Sequence, residues 1–405
     1  MGSQTENLLT VIDVGSAKTC VIVAEVNDYA LRYRGHGISD TRGMRKGVIA
    51  DLDKAVKSIR KAVEKAEDVA QAPVEHALAG VAGSHIRGVN SHGGISLGRS
   101  REISREDVRQ AVEKARSIAM PDDREPLHLL PQEFIVDGQG GVHDPAGLMG
   151  RKLEVRVHVV TAGTTATQNV VTAVNRAGIH VNDTVFEALA CADSVLQTDE
   201  RELGVCLVDI GAGSTDLIVY FEGVVIHSGV IPVGGDHFTN DVAVGFSTPV
   251  LDAENIKKMF GCAVVTRIPL GNEIEVPSVG DRPSRMVQQR MLGEILEPRA
   301  RELMELLRDH LRQAGILDLL GAGVVFTGGG ARLTALLEVA DDILRRPVRL
   351  GYPVPIAKLP SNLLELEFAT AIGIVLYGHR ARQARMHIDR GLGAKLRALF
   401  ARQSV

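Results

Sequence analysis

The chain has 405 residues, of which 45% are hydrophobic and 24% are charged. This balance is typical of folded proteins and indicates roughly two to four domains. The formal net charge of −4 excludes a protein that binds polyanions over its whole surface. Aromatic residues make up only 3% and Trp is absent, which argues against binding of nucleic acid by base stacking. We therefore expect no nucleic-acid partner.

The start of the chain carries no recognisable export signal. Residues Met1–Glu6 include neither the basic nor the apolar segment of a secretory signal peptide. No apolar run reaches the roughly 18 residues that a membrane-spanning helix needs. We therefore expect the chain to remain in the cytoplasm.

Apolar segments that end in glycine turns mark the strands. Leu8–Val14 and Cys20–Ala24 predict a β-hairpin, Gly204–Tyr220 predicts a second one, and Gly323–Thr327 predicts a buried strand before a third turn. Apolar residues at helical spacing predict helices at residues 51–72, 104–118, 164–177, 188–196 and 287–311. The glycine-rich residues 137–150 predict a long hairpin or loop. Strands that alternate with helices indicate an α/β protein with mixed sheets.

The two hairpins resemble each other in sequence. When Asp13 is aligned with Asp209, 196 residues later, Gly15 coincides with Gly211. The β-type residues Val21–Val23 then fall on Leu217–Val219. Self-similarity over this distance indicates two related halves rather than a solenoid of short repeats.

The three glycine turns, at residues 13–18, 209–216 and 327–330, are candidates for a phosphate site. Backbone N–H groups that no Cβ obstructs can donate to phosphate oxygens, and Lys18 would add a positive charge. Asp13 and Asp209 suit Mg²⁺ held through water and phosphate. A tight hairpin alone explains any one of these turns, but their duplication favours nucleotide binding over three unrelated turns.

These turns resemble the phosphate and adenosine motifs of the actin, Hsp70 and sugar-kinase superfamily and, within it, the FtsA family of bacterial cell-division proteins. The segments that carry the second resemblance are Leu129–Phe134, Asp144–Leu148, Glu202–Gly211, Val276–Gly280 and Ala371–Gly373. The resemblance extends over nearly the whole chain, from about Leu8 to the C-terminal helix. It implies an actin-like ATPase fold of class α/β, with two duplicated ribonuclease-H-like lobes and an inserted subdomain 1C.

The resemblance also implies a division into subdomains. They are 1A (residues 1–83 with 165–197), 1C (84–164), 2A (198–230 with 302–378), 2B (231–301), a linker (379–390) and an amphipathic membrane-targeting helix (391–405).

An ATP site between the lobes follows from the same resemblance. The residues implied to contact ATP are Gly15, Ser16, Lys18, Gly211, Gly213, Ser214, Gly328 and Gly329, with Glu254 and Lys257 at the ribose. Ala212 replaces a glycine of many relatives, and alanine fits there if its φ is negative. Glu187 resembles a carboxylate that orders Mg²⁺ and water in Hsp70-like ATPases, while a carboxylate favoured at a helix N-terminus is an equal alternative. No unambiguous base is visible, so we expect slow hydrolysis at most and a nucleotide that regulates assembly.

Two regions are implied to bind protein partners. In the family, subdomain 1C serves self-association and recruits later division proteins, and subdomain 2B docks the C-terminal peptide of FtsZ. Because that peptide is acidic and hydrophobic, basic residues on a helix would complement it. The candidates are Arg285, Arg290, Arg299 and Arg301, with Met286 and Met291 as apolar contacts. For subdomain 1C, the alternative is an insertion that only completes the fold. For the arginines, the alternative is that their charges are only solvated and bind no partner.

The C-terminal tail, residues 379–405, carries seven Lys or Arg against one Asp, a net charge of +6. Within it, Leu392, Leu396, Leu399 and Phe400 form one apolar stripe at helical spacing, flanked by Lys395 and Arg397. This pattern is typical of an amphipathic helix that lies on an anionic lipid membrane. A helix that packs on the body or on a protein is the alternative.

These observations predict an actin-like, ATP-binding cell-division protein that polymerises and tethers FtsZ filaments, the Z ring, to the cytoplasmic side of the cell membrane at the division septum. A kinase or ATPase of the same superfamily and an actin-like scaffold of the pilus-assembly type remain the alternatives. A sugar kinase would need a sugar pocket and a catalytic Asp. The pilus-type scaffold would lack the amphipathic terminus.

Overall fold

The computed structural model describes residues 7–27, 30–45, 47–116, 121–280 and 282–383. Within these ranges the strands are, in chain order, β1 (Leu8–Val14), β2 (Lys18–Asn27), β3 (Ala30–Asp40), β4 (Met44–Arg45), β5 (Val48–Ile49), β6 (His76–Val81), β7 (Arg87–Glu102), β8 (Arg124–Val136), β9 (Gln139–Val142), β10 (Met149–Gly163), β11 (His180–Phe186), β12 (Val205–Ile210), β13 (Thr215–Phe221), β14 (Val224–Ile231), β15 (Glu273–Val276), β16 (Arg285–Gln288), β17 (Gly323–Thr327) and β18 (Val348–Leu350).

The same ranges contain the following α-helices: α1 (Leu52–Ala70), α2 (Arg105–Arg116), α3 (Thr164–Arg176), α4 (Glu187–Val195), α5 (Thr198–Leu203), α6 (Gly235–Phe246), α7 (Val250–Phe260), α8 (Gln289–Gln313) and α9 (Leu336–Leu344). Residues 369–383 form a further helix, α10. None of the described helices combines the length and the apolar character that a membrane crossing requires.

Two five-stranded sheets with the same topology confirm the duplicated halves. The first lobe has the strand order β3-β2-β1-β6-β11, and the second has β14-β13-β12-β17-β18. In each, three consecutive strands form an antiparallel meander whose first strand pairs in parallel with the fourth. The fifth strand then pairs in parallel with the fourth. The hairpins predicted from the glycine turns are therefore equivalent elements, β1–β2 and β12–β13.

The strands of each sheet are buried on both sides because helices cover both faces of the sheet. In the first lobe, alternate residues of β1 and β2 face α1 and α3, and the others face α10. In the second lobe, one face packs against α6, α8 and α9, and the other against α4. Both lobes are thus three-layered α/β units, and α4 and α10 lie between the two sheets.

Helix α1 shows why the helical predictions succeeded. Its N-terminus is capped by Asp51, whose carboxylate accepts the N–H of Lys54 at 3.1 Å. Its buried stripe recurs at helical spacing and includes Val56, Ile59 and Val63. The helix ends at Ala70, two residues earlier than the predicted end, because Gln71 takes a left-handed conformation.

An inserted unit lies between β6 and α3. Its four strands form the sheet β7-β10-β8-β9, and α2 packs on one face of it. Strand β9 falls within the predicted hairpin or loop at residues 137–150. The start of α2 has the expected capping box, since Ser104 Oγ accepts the N–H of Asp107 and the Asp107 carboxylate accepts the N–H of Ser104.

The long helix of the second lobe begins later than predicted. Helical spacing predicts its start at Val287, but residues 285–288 form β16, which pairs with β15. Cross-strand hydrogen bonds and the packing of Val287 against the core override the helical period there. Helix α8 starts at Gln289 and continues through Pro298 to Gln313. Arg285 therefore lies on a strand and not on the helix that was predicted to carry it.

A cluster of charged residues joins the two lobes at α4. The Asp193 side chain, only 8% exposed, lies 2.7 Å from Arg380 of α10 and 3.3 Å from Arg201 of α5. The Arg201 guanidinium also donates to the carbonyl of Ala192 and lies over the ring of Tyr220. One buried carboxylate thus holds two arginines from different parts of the chain.

We expect Asp193→Ala to lower the free energy of unfolding by about 3 kcal/mol, because it leaves a largely buried Arg201 without its counter-charge. Urea unfolding followed by circular dichroism measures this loss. The control is Asp144→Ala, which removes an ion pair with Arg105 whose side chains are 54% and 77% exposed. That change should cost less than about 1 kcal/mol. Equal losses for the two variants would contradict a buried role for Asp193.

Candidate functional site

Four buried carboxylates interact electrostatically where the two hairpins face each other. Asp13 is the last residue but one of β1 and lies opposite Cys20, and Asp209 has the equivalent position in β12, opposite Asp216. Glu187 is the first residue of α4 and interacts electrostatically with these three aspartates. Lys18 interacts with the same group and opposes its negative charge. The site therefore combines elements of both lobes.

Burial disfavours the ionised form of every carboxylate in this group. It raises the pKa of Asp13 to about 6, with Lys18 opposing and Asp209 adding to the shift. It raises the pKa of Asp216 to about 7, and Asp209 adds to that shift as well. The pKa of Asp209 is raised and that of Glu187 is raised well above its ordinary value, again chiefly by burial. Such a concentration of buried carboxylates is suited to a cation.

Glycine is needed in these turns for two reasons: a side chain would crowd a backbone carbonyl oxygen, or the backbone has a positive φ. A Cβ on Gly15 would lie 2.9 Å from the Lys18 carbonyl oxygen, and one on Gly211 would lie 3.1 Å from that of Ser214. Of the glycines in the three turns, only Gly328 has a positive φ, 82°, and a Cβ there would lie 2.1 Å from Asp209 Oδ1. The backbone of Ala212 does not have a positive φ, so alanine is tolerated at this position.

The polar residues of the first turn point to other segments of the cleft. Ser16 Oγ accepts the N–H of Gly47 at 3.2 Å. Lys18 Nζ donates to the carbonyl oxygen of Glu367 and lies 4.8 Å from the centre of the Phe368 ring. In the second turn, Ser214 Oγ donates to Asp216 at 3.1 Å.

Glu254 and Lys257 of α7 lie beside the second turn. Lys257 Nζ donates to the carbonyl of Gly235 at 3.0 Å and lies 2.6 Å from the Glu254 carboxylate. The N–H of Gly235 in turn donates to the carbonyl of Gly211 at 2.9 Å. The structure therefore places both predicted ribose residues near the predicted phosphate loop, which they reach through Gly235 at the start of α6.

The third turn continues into a cavity. Gly328 donates its N–H to Leu366, and Gly329 begins a short 3₁₀ helix that ends at Arg332. A cavity of about 370 Å³ starts at Ala331, directly after this turn. Leucines line much of it, together with Arg332, Glu338, Tyr352 and Glu365. Two ion pairs of Arg332, with Glu365 and Glu367, hold this edge of the turn.

The site fits a hydrated Mg²⁺ better than a directly ligated metal. Within the described ranges, no three His, Cys, Asp or Glu side chains converge so that they could ligate one ion together. Mg²⁺ keeps several waters and needs only one or two carboxylates beside phosphate oxygens. Asp13 and Asp209, on equivalent strand ends, are the residues that would hold its waters.

Three residues of the site were missed by the sequence analysis. They are Asp216, Gly83, whose N–H points to Asp216 Oδ1 at 3.4 Å, and Thr370, which donates to Asp209 at 2.6 Å. Asp216 could have been found from the register of the second hairpin, because it is the residue opposite Asp209. Gly83 and Thr370 carry no local signal, since distant segments bring them to the site.

The predicted basic docking residues make different contacts in the structure. Arg285 donates to the carbonyl of Phe246 at 2.6 Å. Arg299 is held by Asp241 and Glu302, and Arg301 by Glu297 and Asp342. Arg290 lies in the first turn of α8, half-buried. The membrane residues Leu392, Lys395, Leu396, Arg397, Leu399 and Phe400 lie outside the described residues.

Comparisons with known proteins agree with this architecture. The family model described as cell division protein FtsA matches residues 206–373, and that of the SHS2 domain inserted in FtsA matches residues 83–161. The cell division protein FtsA of Pseudomonas aeruginosa is 41% identical over 93% of this chain and 90% of its own length.

Solved structures show the same fold at low sequence identity. The PilM–PilN type IV pilus biogenesis complex covers 92% of this chain and 98% of its own, with a TM-score of 0.64 and 17% identity. MreB5 of Spiroplasma citri bound to ADP covers 94% of this chain and 98% of its own, with a TM-score of 0.55 and 14% identity.

The duplicated lobes, the glycine turns and these structural neighbours define an actin-like protein of the ATPase fold, with an SHS2 domain inserted in its first lobe. The chain belongs to the FtsA family of bacterial cell-division proteins. The predicted family, fold class and inserted unit are thereby confirmed, and the protein acts in cell division.

Proposed function

We propose that the chain binds Mg²⁺-ATP between its lobes, assembles with copies of itself, and tethers FtsZ filaments to the cytoplasmic side of the membrane at the division septum. The observation that carries this proposal is the convergence of equivalent carboxylates and open glycine turns from both lobes on one cleft. ATP bound there would contact both lobes and so favour one arrangement of them.

The nucleotide is assigned to this cleft by the chemistry of its groups. Backbone N–H groups at the turns of Gly15 and Gly211 would receive phosphate oxygens, and Lys18 would exchange the Glu367 carbonyl for a phosphate. Mg²⁺ would lower the barrier to phosphoryl transfer by neutralising charge on the phosphates. Glu187, close to the aspartates, is the residue that would orient a water. None of the cleft residues that the structure describes is an unambiguous base, and ATP is proposed to act mainly on assembly.

An apolar surface on the second lobe is proposed to dock the C-terminal peptide of FtsZ. Between residues 244 and 291 the large apolar side chains more than 40% exposed are Val244, Val250, Leu251, Met259, Leu270, Val279, Met286 and Met291. Exposed apolar residues concentrated in one region mark binding sites for proteins. Because Arg299 and Arg301 already hold carboxylates, we assign the contact with an acidic peptide to Arg290, which directly precedes the exposed Met291 in the chain.

The docking proposal predicts that Arg290→Glu weakens binding of the FtsZ C-terminal peptide by about tenfold, or roughly 1.4 kcal/mol. Fluorescence anisotropy of a labelled peptide measures the affinity, and pelleting of FtsZ filaments with anionic liposomes measures the tether. The matched control is Arg105→Glu on α2, an arginine whose side chain is 77% exposed on the inserted unit. If both variants bind the peptide as the native chain does, the surface is wrongly assigned.

The subdomain boundaries and the roles of the inserted unit are part of the proposal. We propose subdomain 1C at 84–164 as the surface that recruits later division proteins, with 1A, 2A and 2B as given above. The proposed boundary between 2B and 2A, at residues 301 and 302, falls within the continuous helix α8. Motion of 2B relative to 2A would therefore bend or tilt this helix.

A further inference from the structure

The inserted unit makes one fixed contact directly in front of Glu187. His128 of β8 accepts the backbone N–H of Phe186 through Nε2, at 2.9 Å, and Phe186 is the residue before Glu187. Burial lowers the pKa of His128 to about 4, so the ring is neutral at pH 7 and can accept this hydrogen bond. The other side of the ring packs edge-on against Tyr377 of α10.

A second contact joins the inserted unit to the opposite lobe. His158 of β10, 1% exposed, lies between Asn90 of β7 and Ser228 of β14. Its Nδ1 is 2.6 Å from Asn90 Oδ1, and its Nε2 is 2.8 Å from Ser228 Oγ. Asn90 Nδ2 also donates to the carbonyl of Ile226, so that Asn90 and His158 together contact two residues of β14.

The second contact occupies the free edge of the second lobe. Strand β14 is the outer strand of its sheet, so its outward carbonyls have no neighbouring strand. Asn90 and Gln132 of the inserted unit satisfy the carbonyls of Ile226 and Val225 instead. Gly88 permits this approach, because a Cβ there would lie 2.4 Å from Ser228 Oγ.

The two contacts flank one apolar core that both lobes share with the inserted unit. Ile86, which directly precedes β7, and Val160 of β10 pack in the same cluster as Ala188 of α4 and Val225 of β14. The inserted unit therefore cannot tilt without disturbing the start of α4, the outer strand of the second lobe, or both.

We propose that the inserted unit and the nucleotide cleft are energetically coupled, through His128 at the start of α4 and through the His158 cluster on β14. Binding of Mg²⁺-ATP, which bridges the lobes, fixes the orientation of the inserted unit, and a protein that reorients this unit changes the affinity for Mg²⁺-ATP by the same factor. The coupling rests on the proposed ATP site. It makes His128 a positioning residue for Glu187.

Hydrogen exchange followed by mass spectrometry, with and without Mg²⁺-ATP, tests the coupling in the full chain. In the native protein, Mg²⁺-ATP should slow exchange both in the cleft hairpin β12–β13 and in strand β10 of the inserted unit. Ser228→Ala removes the hydroxyl that contacts His158 and should weaken the response of β10, because only the contact through His128 then remains unaltered, while the response of β12–β13 persists. Because Ser228 is buried, the melting temperature of Ser228→Ala without nucleotide shows whether the fold is retained.

His128→Phe keeps the aromatic contact with Tyr377 but removes the acceptor for Phe186. It should weaken Mg²⁺-ATP binding several-fold by calorimetry, and its melting temperature without nucleotide shows whether the fold is retained. His143→Phe, at an exposed histidine of the same unit, is the matched control and should change neither measurement.

The outcomes separate the coupling from the ATP site itself. A cleft that responds to Mg²⁺-ATP while β10 of the native chain does not would overturn the coupling. Native affinity and a native response of β10 in both variants would overturn it as well. A native chain without any response in β12–β13 would overturn the proposed ATP site, and the coupling with it.

Discussion

Replacing Gly211 by Val is expected to abolish the rise in melting temperature that Mg²⁺-ATP gives the native chain. A Cβ at this position meets only the carbonyl oxygen of Ser214, at 3.1 Å, and otherwise open space. The valine methyl groups would fill the space in which phosphate oxygens approach the turn. At a nucleotide concentration about one hundred times Kd, binding stabilises the native state by about 2.7 kcal/mol, a shift of a few degrees.

Two controls distinguish a loss of nucleotide binding from a loss of stability. The melting temperature of Gly211→Val without nucleotide shows whether the turn accommodates the added Cβ, which lies 3.1 Å from the carbonyl oxygen of Ser214. Lys18→Gln should reduce the shift without abolishing it, since the turn stays open while a charge is lost. A full nucleotide-dependent shift in Gly211→Val would place the phosphates elsewhere.

The features that were predicted correctly from the sequence are those with a local cause. Helix α1 has a cap at Asp51 and an unbroken apolar stripe, and both are visible in the sequence. The paired hairpins were found because the duplication repeats an aspartate and a glycine at the same spacing, and the sheets show the same topology around them. Local capping and internal repetition need no knowledge of the tertiary structure.

The features that were missed depend on contacts between distant segments. Asp216 joins the site because β13 pairs with β12, and Gly83 reaches it from the segment after β6. Val287 has the spacing of the helix that follows it, but its pairing with Ile274 places it in a strand. The ion pair between Arg299 and Asp241 likewise joins segments that are 58 residues apart, and no helical pattern reveals it.

The inserted unit contacts segments on both sides of the carboxylate site. Burial disfavours the ionised form of the carboxylates where the lobes meet, so their charge depends on whether a cation is present to compensate it. Lys18 offsets part of this charge, and a divalent cation with its phosphates would change the balance. The inserted unit touches both sides of this meeting point, at Phe186 and at Ser228, and is thus positioned to follow any change.

Deleting residues 391–405 is expected to abolish binding to anionic liposomes while Mg²⁺-ATP binding is retained. These residues lie outside the described ones, and the expectation rests on their sequence. Each large apolar side chain buried in the lipid contributes about 1.5–3 kcal/mol, and each basic residue near the surface about 1 kcal/mol. Ordering the segment offsets much of this gain, so a single tail should bind weakly.

Point substitutions separate the apolar stripe from the charge. Leu396→Glu removes a leucine of the stripe and adds a negative charge, whereas Ala394→Glu adds the same charge on the opposite side of the predicted helix. Liposome pelleting should fall at least about tenfold further for the first variant than for the second, given roughly 1.4 kcal/mol per tenfold. Equal losses would indicate attraction by charge alone, and unchanged pelleting after the deletion would refute the anchor.

Assembly should magnify this difference. When copies of the chain associate, the second and later tails bind at a high effective concentration, so a weak tail becomes a firm anchor. The pelleted fraction of the native chain should therefore rise more steeply with protein concentration than a one-site isotherm allows. Leu396→Glu should shift that rise to higher concentration. A native chain that follows a simple one-site isotherm would show that each tail binds lipid independently of assembly.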